Sequence, residues 1–290
     1  MLGSEVRTGR SEDSQSVARA TTFLSPGLPE ELFQGICRYL AKHLEGHIEL
    51  SLEARHSGPM HGDVDPFRDG QADIGFLCSP SYLYLRGLER PSVRLIPAAF
   101  AFGDPRAKGQ PVYFSEVVVL ASHPARNFKD LAGGTWGYND ECSLSGYFST
   151  IFKLSELNCD AEFFGRRVRT GSHEHSLEGI LNGSIHGAAI DSSVFAHWRE
   201  LHPDLVPRLR VIDSWGPFPI QPIVVRDTLS TSVSDHITSC LLNLGSTPKE
   251  REWFASFGLE GFVPSSDELY AEERDTLVRL GVIAPPRKQP

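Results

Sequence analysis

The stretch that decides the fold runs NDECSLSGYFSTIFKLSEL (139–157), RRVRTGSHEHSLEGILNG (166–183) and GAAIDSSVF (187–195). Three times between Asn139 and Phe195 a short apolar or β-branched run gives way to a Ser-rich turn and then to helical spacing. The pattern predicts three helix N-termini opening toward one place. Each such terminus presents free backbone N–H groups and the positive end of a helix dipole, the natural receptor for an anion. An oxyanion site is therefore the leading expectation for this chain.

The same grammar extends outward. ADIGFL (72–77) has the composition of a buried strand, and it delivers the turn CSPS (78–81) and a helix starting near Tyr82. Upstream, residues 18–24 form a strand-like run before a Ser25-Pro26-Gly27 turn. EELFQGICRYLAKHL (30–44) then places Leu32, Ile36, Tyr39, Leu40 and Leu44 at helical spacing, with Pro29 at its start. Residues 47–54 alternate as a strand does, completing a β-α-β unit. Residues 65–70 are expected to form a short helix, and 93–102 and 112–122 two strands. Strands are also expected at 135–138, 166–170, 187–190, 209–214 and 220–225, and helices at 128–133, 146–157 and 175–181. From Thr228 onward the spacing is helical only. Strands alternating with helices predict an α/β protein with parallel or mixed sheets covered on both faces, in two similar lobes.

Composition narrows the function classes. An apolar share of 40%, a charged share of 22% and a mean hydropathy of -0.22 describe an ordinary globular chain rather than a disordered or membrane-spanning one. The formal charge of -9 argues against nucleic acid or an anionic membrane as the main partner. Cys37, Cys78, Cys142, Cys159 and Cys240 are an odd set without a C-x-x-C pair, so they are expected to be buried free thiols rather than a disulfide framework or a zinc site. Residues 1–17 are polar and without periodicity, as a disordered arm is. The start MLGSEVRTGRSEDSQSVARA lacks the apolar region of a signal peptide. As written the chain is expected to be cytoplasmic; a mature or recloned chain with the same start would be extracytoplasmic.

Four runs carry a family resemblance. FRDGQADIGFLCSPSYLYLRG (67–87), VYFSEVVVLAS (112–122), FKDLAGGTWGYND (128–140) followed by SLSGY (143–147), and GSHEHSLEGILNGSIHGAAIDSSVF (171–195) together resemble the phosphate, phosphite and phosphonate substrate-binding proteins of ABC transporters. These are type II periplasmic binding proteins, and the similarity covers about residues 20 to 265 in the same order. The resemblance implies two α/β lobes of mixed sheets flanked by helices. A two-strand hinge joins them, and the ligand is buried between the lobes on closure. Mapped here, residues 18–111 plus 223–290 form lobe 1 and 112–222 lobe 2, with crossings at 111–115 and 219–223.

The resemblance also implies a site. SLSGY matches the family's Ser-Thr-Ser-Gly loop, which assigns Ser143, Ser145 and Gly146 to the anion. Leu144 stands where the family has a hydroxyl, so one oxyanion hydrogen bond is missing and a different or less charged ligand is allowed. Gly171-Ser172-His173 matches a Gly-Ser-His turn that assigns Ser172 and His173, the histidine donating to the anion. Asp191 aligns with a cleft-facing acid able to take the amine of an aminophosphonate; it equally suits the cap of a helix starting at Ser193. Tyr113 at the first crossing and Tyr82 in the lobe 1 turn are expected as phenol donors, with core aromatics as the alternative. Ser79 and Ser81 supply the lobe 1 helix start. Arg166, Arg167 and Arg169 look like a solvated face, and His175 gets no role.

The expected function is thus a solute-binding protein that captures a small phosphonate, phosphite or phosphate-like oxyanion by hinge closure. No catalytic residue, metal or cofactor is expected. The expected partners are the small anion and, if the chain is exported, an ABC-transporter permease; nucleic acid is not one, and the chain is expected to be a monomer. One competing reading is a hydrolase using Ser143 or Ser145 with His173 and Asp191, although the G-x-S-x-G elbow is absent. The thiamine-pyrimidine biosynthesis relative of the fold would need a cysteine-rich motif that is also absent. A ligand-sensing regulator without a transport role would have to act through a protein partner, because no helix-turn-helix is evident.

Overall fold

The computed structural model describes residues 17–23, 27–53 and 57–285. The expected disordered arm lies outside them apart from Val17, which opens the first strand, and so does the tail after Pro285.

The first part of the chain is β1 (Val17–Thr22), α1 (Glu30–His43), β2 (His47–Leu52), β3 (Ile74–Phe76), α2 (Ser79–Gly87), β4 (Val93–Leu95) and β5 (Ala98–Phe102). The middle part is β6 (Val112–Leu120), β7 (Thr135–Tyr138), α3 (Ser149–Glu156), β8 (Arg166–Arg169), α4 (His173–Leu181), β9 (Gly187–Asp191), α5 (Ser192–Leu201) and β10 (Leu209–Pro219). The last part is β11 (Ile223–Arg226), α6 (Thr231–Asn243), α7 (Pro248–Ala255), β12 (Leu259–Pro264) and α8 (Ala271–Arg279).

These strands build two five-stranded mixed sheets, in the orders β2-β1-β3-β11-β4 and β10-β6-β9-β7-β8. In the first, β2, β1 and β3 run parallel and β11 returns antiparallel beside β3. In the second, β9, β7 and β8 run parallel, and β6 runs antiparallel to both of its neighbours, β9 and β10. The chain is therefore a mixed α/β protein of the two-lobe kind.

The apolar pattern explains why β6 sits inside the second sheet. Val117 and Val119 face one side, among Phe128, Trp136, Phe164 and Trp215, while Val118 faces the other, among Leu177, Ile180, Ile190 and Trp198. Side chains alternate with period two, so a strand covered on both faces needs apolar residues at consecutive positions. Each such buried side chain contributes about 1.5–3 kcal/mol. In the first sheet, α1 buries Leu32, Phe33, Ile36, Cys37 and Leu40, the stripe that helical spacing predicts, with Glu30 and Glu31 at its positive end.

Several expectations are corrected. Residues 65–70 form a turn rather than a helix. The expected strand at 93–102 is two strands: β4 joins the first sheet, while β5 pairs with β12 in a separate ribbon. β12 also contradicts the expectation of helix alone after Thr228. Its apolar residues Leu259, Phe262 and Val263 pair antiparallel along β5, a long-range gain that helical spacing in the neighbours hid. β10 continues through Gly216-Pro217 instead of breaking there, with a register shift between Trp215 and Phe218. Cys159 is exposed, whereas the other four cysteines are buried.

Phe128 is 1% exposed and makes ring contacts with Trp136, Phe163, Phe164 and Trp215 at 5.6, 5.2, 5.8 and 4.9 Å. Phe128→Ala is expected to cost about 3–5 kcal/mol of unfolding free energy by denaturant titration. A loss below about 1 kcal/mol would show that this cluster does not carry the second sheet.

Candidate oxyanion site

The parallel strands of the second sheet all end at one edge. β7 delivers Asn139 and the loop to Ser145, β8 delivers Ser172 and His173, and β9 delivers Asp191. The carboxyl edge of the first sheet faces them with Ser57 after β2 and Cys78 after β3. Contacts between the edges among the described residues include Ser57 Oγ donating to Asp140 Oδ1 at 2.5 Å and the Leu144 N–H donating to Cys78 Sγ at 3.3 Å. Crevices outside the carboxyl ends of strands are where open α/β sheets bind ligands.

The loop after β7 does not enter an α-helix directly. Residues Leu144–Phe148 make one wide turn in which the Phe148 N–H reaches Ser143 O at 3.0 Å, and α3 begins only at Ser149. Such i→i+5 turns collect at functional sites. Ser143 caps the turn, its Oγ accepting from the Gly146 N–H at 3.1 Å. Ser145 Oγ lies 3.0 Å from His173 Nε2, one hydrogen bond whose donor depends on the tautomer. The Ser145 carbonyl accepts from Ser115 Oγ at 2.7 Å and Ser149 Oγ at 2.5 Å. A Cβ on Gly146 would stand 1.9 Å from Asn139 Oδ1 and 3.3 Å from His173 Cε1, so a larger residue there displaces the Asn139 side chain.

His173 is the first residue of α4 and is 5% exposed. Ser172 caps that helix, accepting from the His175 N–H at 3.0 Å. Gly171 before it has a φ of 90°, a left-handed conformation that suits glycine. Tyr113, on β6, is 1% exposed, and its hydroxyl makes no hydrogen bond of good geometry among the described residues. Burial pushes its phenol well above the ordinary tyrosine range, reinforced by the charges of Asp191, Cys78 and Glu273 and opposed by the nearby Ser145 hydroxyl. Tyr113, Ser145 and His173, with Ser143 and Gly146 in the same loop, are the expected residues that come together.

The others are engaged elsewhere. Asp191 is the cap of α5, and its Oδ1 accepts from the Ser193 N–H at 2.8 Å, Ser193 Oγ at 2.5 Å and the Val194 N–H at 3.4 Å. Its Oδ2 accepts from Gln221 Nε2 at 2.8 Å. Burial raises Asp191 to about 6, against those hydrogen bonds. The third helix N-terminus is thus closed by its own carboxylate, and no Ser-His-Asp triad is assembled. Tyr82 donates to Asp267 and packs on Tyr270. Ser81 donates to Pro59 O at 2.6 Å, and Ser79 to Glu273 Oε1 at 2.9 Å. Leu144 is fully buried in the core cluster shared with Leu77 and Cys78.

Sequence reasoning gave no role to Asn139, Ser115, Gln221, Asp140 or Glu273. Asn139 follows the end of β7 and Gln221 interrupts an apolar crossing, signals that a reading of the strand ends could have used. Glu273 arrives from a distant helix and left no such signal. Arg169, expected on a solvated face, pairs with Asp140 and with Glu141 at 3.2 Å. Among the described residues no His, Cys, Asp and Glu group could hold a metal ion, and no helix is long and apolar enough to cross a membrane.

Comparison with known proteins identifies the family and the fold. The family model described as "ABC transporter, phosphonate, periplasmic substrate-binding protein" matches residues 20–270. The phosphonates-binding periplasmic protein of Escherichia coli (strain K12) is 30% identical over 166 residues, which is 56% of this chain; the chain spans about half that protein's length, 49%. Two solved structures share the fold with a TM-score of 0.76 each. One is a binding protein component of a Pseudomonas aeruginosa ABC phosphonate transporter, 17% identical over 91% of this chain and 86% of that one. The other, from Prochlorococcus marinus (MIT 9301) in complex with methylphosphonate, is 16% identical over 92% of this chain and 99% of that one.

Glu273 is 5% exposed, and burial raises its carboxyl to about 8. The folded state therefore takes up a proton more readily than the unfolded one. The stability linked to Glu273 is fully present below the unfolded glutamate range and is lost as pH rises toward about 8. Urea titrations of wild type and Glu273→Gln are expected to diverge by a few kcal/mol across that window, at about 1.4 kcal/mol per pH unit at most. Parallel pH curves would contradict the assignment.

Proposed function

The chain belongs to the family of periplasmic substrate-binding proteins of phosphonate ABC transporters, and from that premise we propose that it captures a small phosphonate-type oxyanion between its two sheets. The observation that carries the reading is the pairing of buried Ser145 with buried His173 at 3.0 Å, in the loop cluster that also holds the Tyr113 hydroxyl, unpartnered among the described residues. A serine hydroxyl, a histidine, a phenol and the amides of the turn after Ser143 are donors that an oxyanion accepts without lysine or arginine. Ligand entry exchanges the Ser145–His173 bond for bonds to the anion, and Tyr113 supplies a further donor from the hinge side.

Closure of the lobes is the second part of the proposal. Ser57 with Asp140 and Cys78 with Leu144 are the contacts that latch the two edges once the anion is inside. The Leu144 side chain and amide both serve this latch, so the loop offers one hydroxyl fewer than the family pattern and allows a different or less charged ligand. The E. coli and Prochlorococcus relatives support phosphonate as the chemical class. A transporter permease is the partner that family membership suggests. A hydrolytic role has no support from Asp191, whose oxygens serve Ser193, Val194 and Gln221.

Calorimetry with methylphosphonate, phosphite, phosphate and 2-aminoethylphosphonate tests the reading. His173→Ala is expected to weaken the best of these ligands by roughly 1.5–3 kcal/mol, the range for a hydrogen bond to a charged group. Gly146→Ala is expected to weaken it as well, by displacing Asn139 and His173. Unchanged affinity in His173→Ala removes that residue from the site, and absence of binding by all four ligands at millimolar concentration overturns the proposal.

A further inference from the structure

A cavity of about 740 Å3 lies between α3, the end of β10 and α8. None of the residues assigned to the oxyanion site lines it, although Ser149 abuts that site through its bond to the Ser145 carbonyl. One wall comes from the second sheet, with Phe152 of α3 and Trp215 and Phe218 of β10. The opposite wall is α8, with Glu272 and Glu273.

Glu273 is the group that asks for a partner. Its Oε1 accepts from Ser79, while Oε2 is buried and has no hydrogen-bond partner among the described residues. A buried carboxyl oxygen without a donor is costly, and native interiors rarely leave one so unless something else fills the place. The rest of the lining decides the sign of that partner. Two carboxylates, Glu156 and Glu272, stand against Lys153 and Arg279, and Glu273, whose carboxyl burial raises to about 8, adds a third negative charge when a cation beside Oε2 draws off its proton. Lys153 is already paired with Glu156 at 3.2 Å, and Arg279 donates to Thr276 Oγ1 at 3.2 Å. Phe152, Trp215 and Phe218 add aromatic surface, which attracts cations at its faces and accepts apolar bodies.

We propose that this cavity is a second binding site, for a small organic ammonium ion on a short apolar body, with its N–H donating to Glu273 Oε2 and its carbon skeleton against Phe152, Trp215 and Phe218. The walls belong to elements of both lobes and meet at the crossing strands, so an occupant bridges the two lobes at the hinge. None of the lining residues is a donor in the phosphonate reading, although Glu273 holds Ser79 and adds to the upward shift of the Tyr113 phenol.

The test is a calorimetric titration of the full chain above about pH 8, where Glu273 is ionised, with butylammonium and phenethylammonium chloride, and with sodium butyrate as the anionic control. Both ammonium probes are expected to bind, butyrate is not, and Glu273→Gln is expected to weaken the ammonium probes by about tenfold or more. Equal affinity in Glu273→Gln, preference for butyrate, or no heat from any probe at millimolar concentration overturns the proposal. Because Glu273 also holds Ser79, the wild-type chain gives a second readout that needs no variant. Amide chemical shifts are expected to move in α3, the end of β10 and α8 on adding butylammonium; shifts confined to other elements contradict the site.

Discussion

Two chain crossings, bonded to each other, set everything else in place. The Ile220 N–H donates to Pro111 O at 2.9 Å, and Pro219 pairs with Val112 where β10 meets β6. The chain leaves the first sheet after β4, passes through β5, and returns to that sheet in β11, so both passages share one narrow strip of backbone. Tyr113 and Ile220 of this strip are buried in the core of the first sheet, and hinge motions are absorbed by a few residues at such crossings. The strip also fixes which edges of the sheets face each other: the carboxyl ends of β1 and β3 on one side, and those of β7, β8 and β9 on the other. Tyr113, two residues beyond Pro111, stands beside the serine loop for that reason.

Electrostatics at the meeting point follow from the same arrangement. A chain with formal charge -9 can still bind an anion where dipoles and hydroxyls converge and the nearby carboxylates are occupied. Asp140 is held by Ser57 and Arg169, and Asp191 by the first turn of α5 and Gln221. Glu273 differs, since burial holds it near neutrality with one oxygen unfilled, and it faces a separate cavity.

The two-lobe fold was legible because its signals are local and repeated. Strand, Ser-turn and helix recur at Cys78, Ser143, Ser172 and Asp191, and each recurrence is an element of the structure. The consecutive valines of β6 marked a strand covered on both faces. β12 was not legible, because its pairing with β5 is made across a long separation and its sequence is short. The site was legible in part. Ser145 and His173 lie on short motifs whose chemistry shows in the chain, and they meet in space. Tyr82, Ser79 and Ser81 sit where the sequence puts them, at the start of α2, but the direction of a side chain depends on its packing. They turn to Asp267, Glu273 and Pro59, partners that no spacing rule connects to them. Asp191 satisfied both a cap and an amine ligand in sequence, and three hydrogen bonds to its own helix show the cap.

The central claim is that an oxyanion sits between the two sheets on the Ser143–Gly146 loop and His173. A crystal structure grown with methylphosphonate measures this most directly. The account predicts tetrahedral density within hydrogen-bond distance of Ser145 Oγ and His173 Nε2, beneath the Tyr113 hydroxyl. Density for the ligand elsewhere, or a crevice in which Ser145 and His173 remain bonded to each other with no ligand beside them, would contradict it.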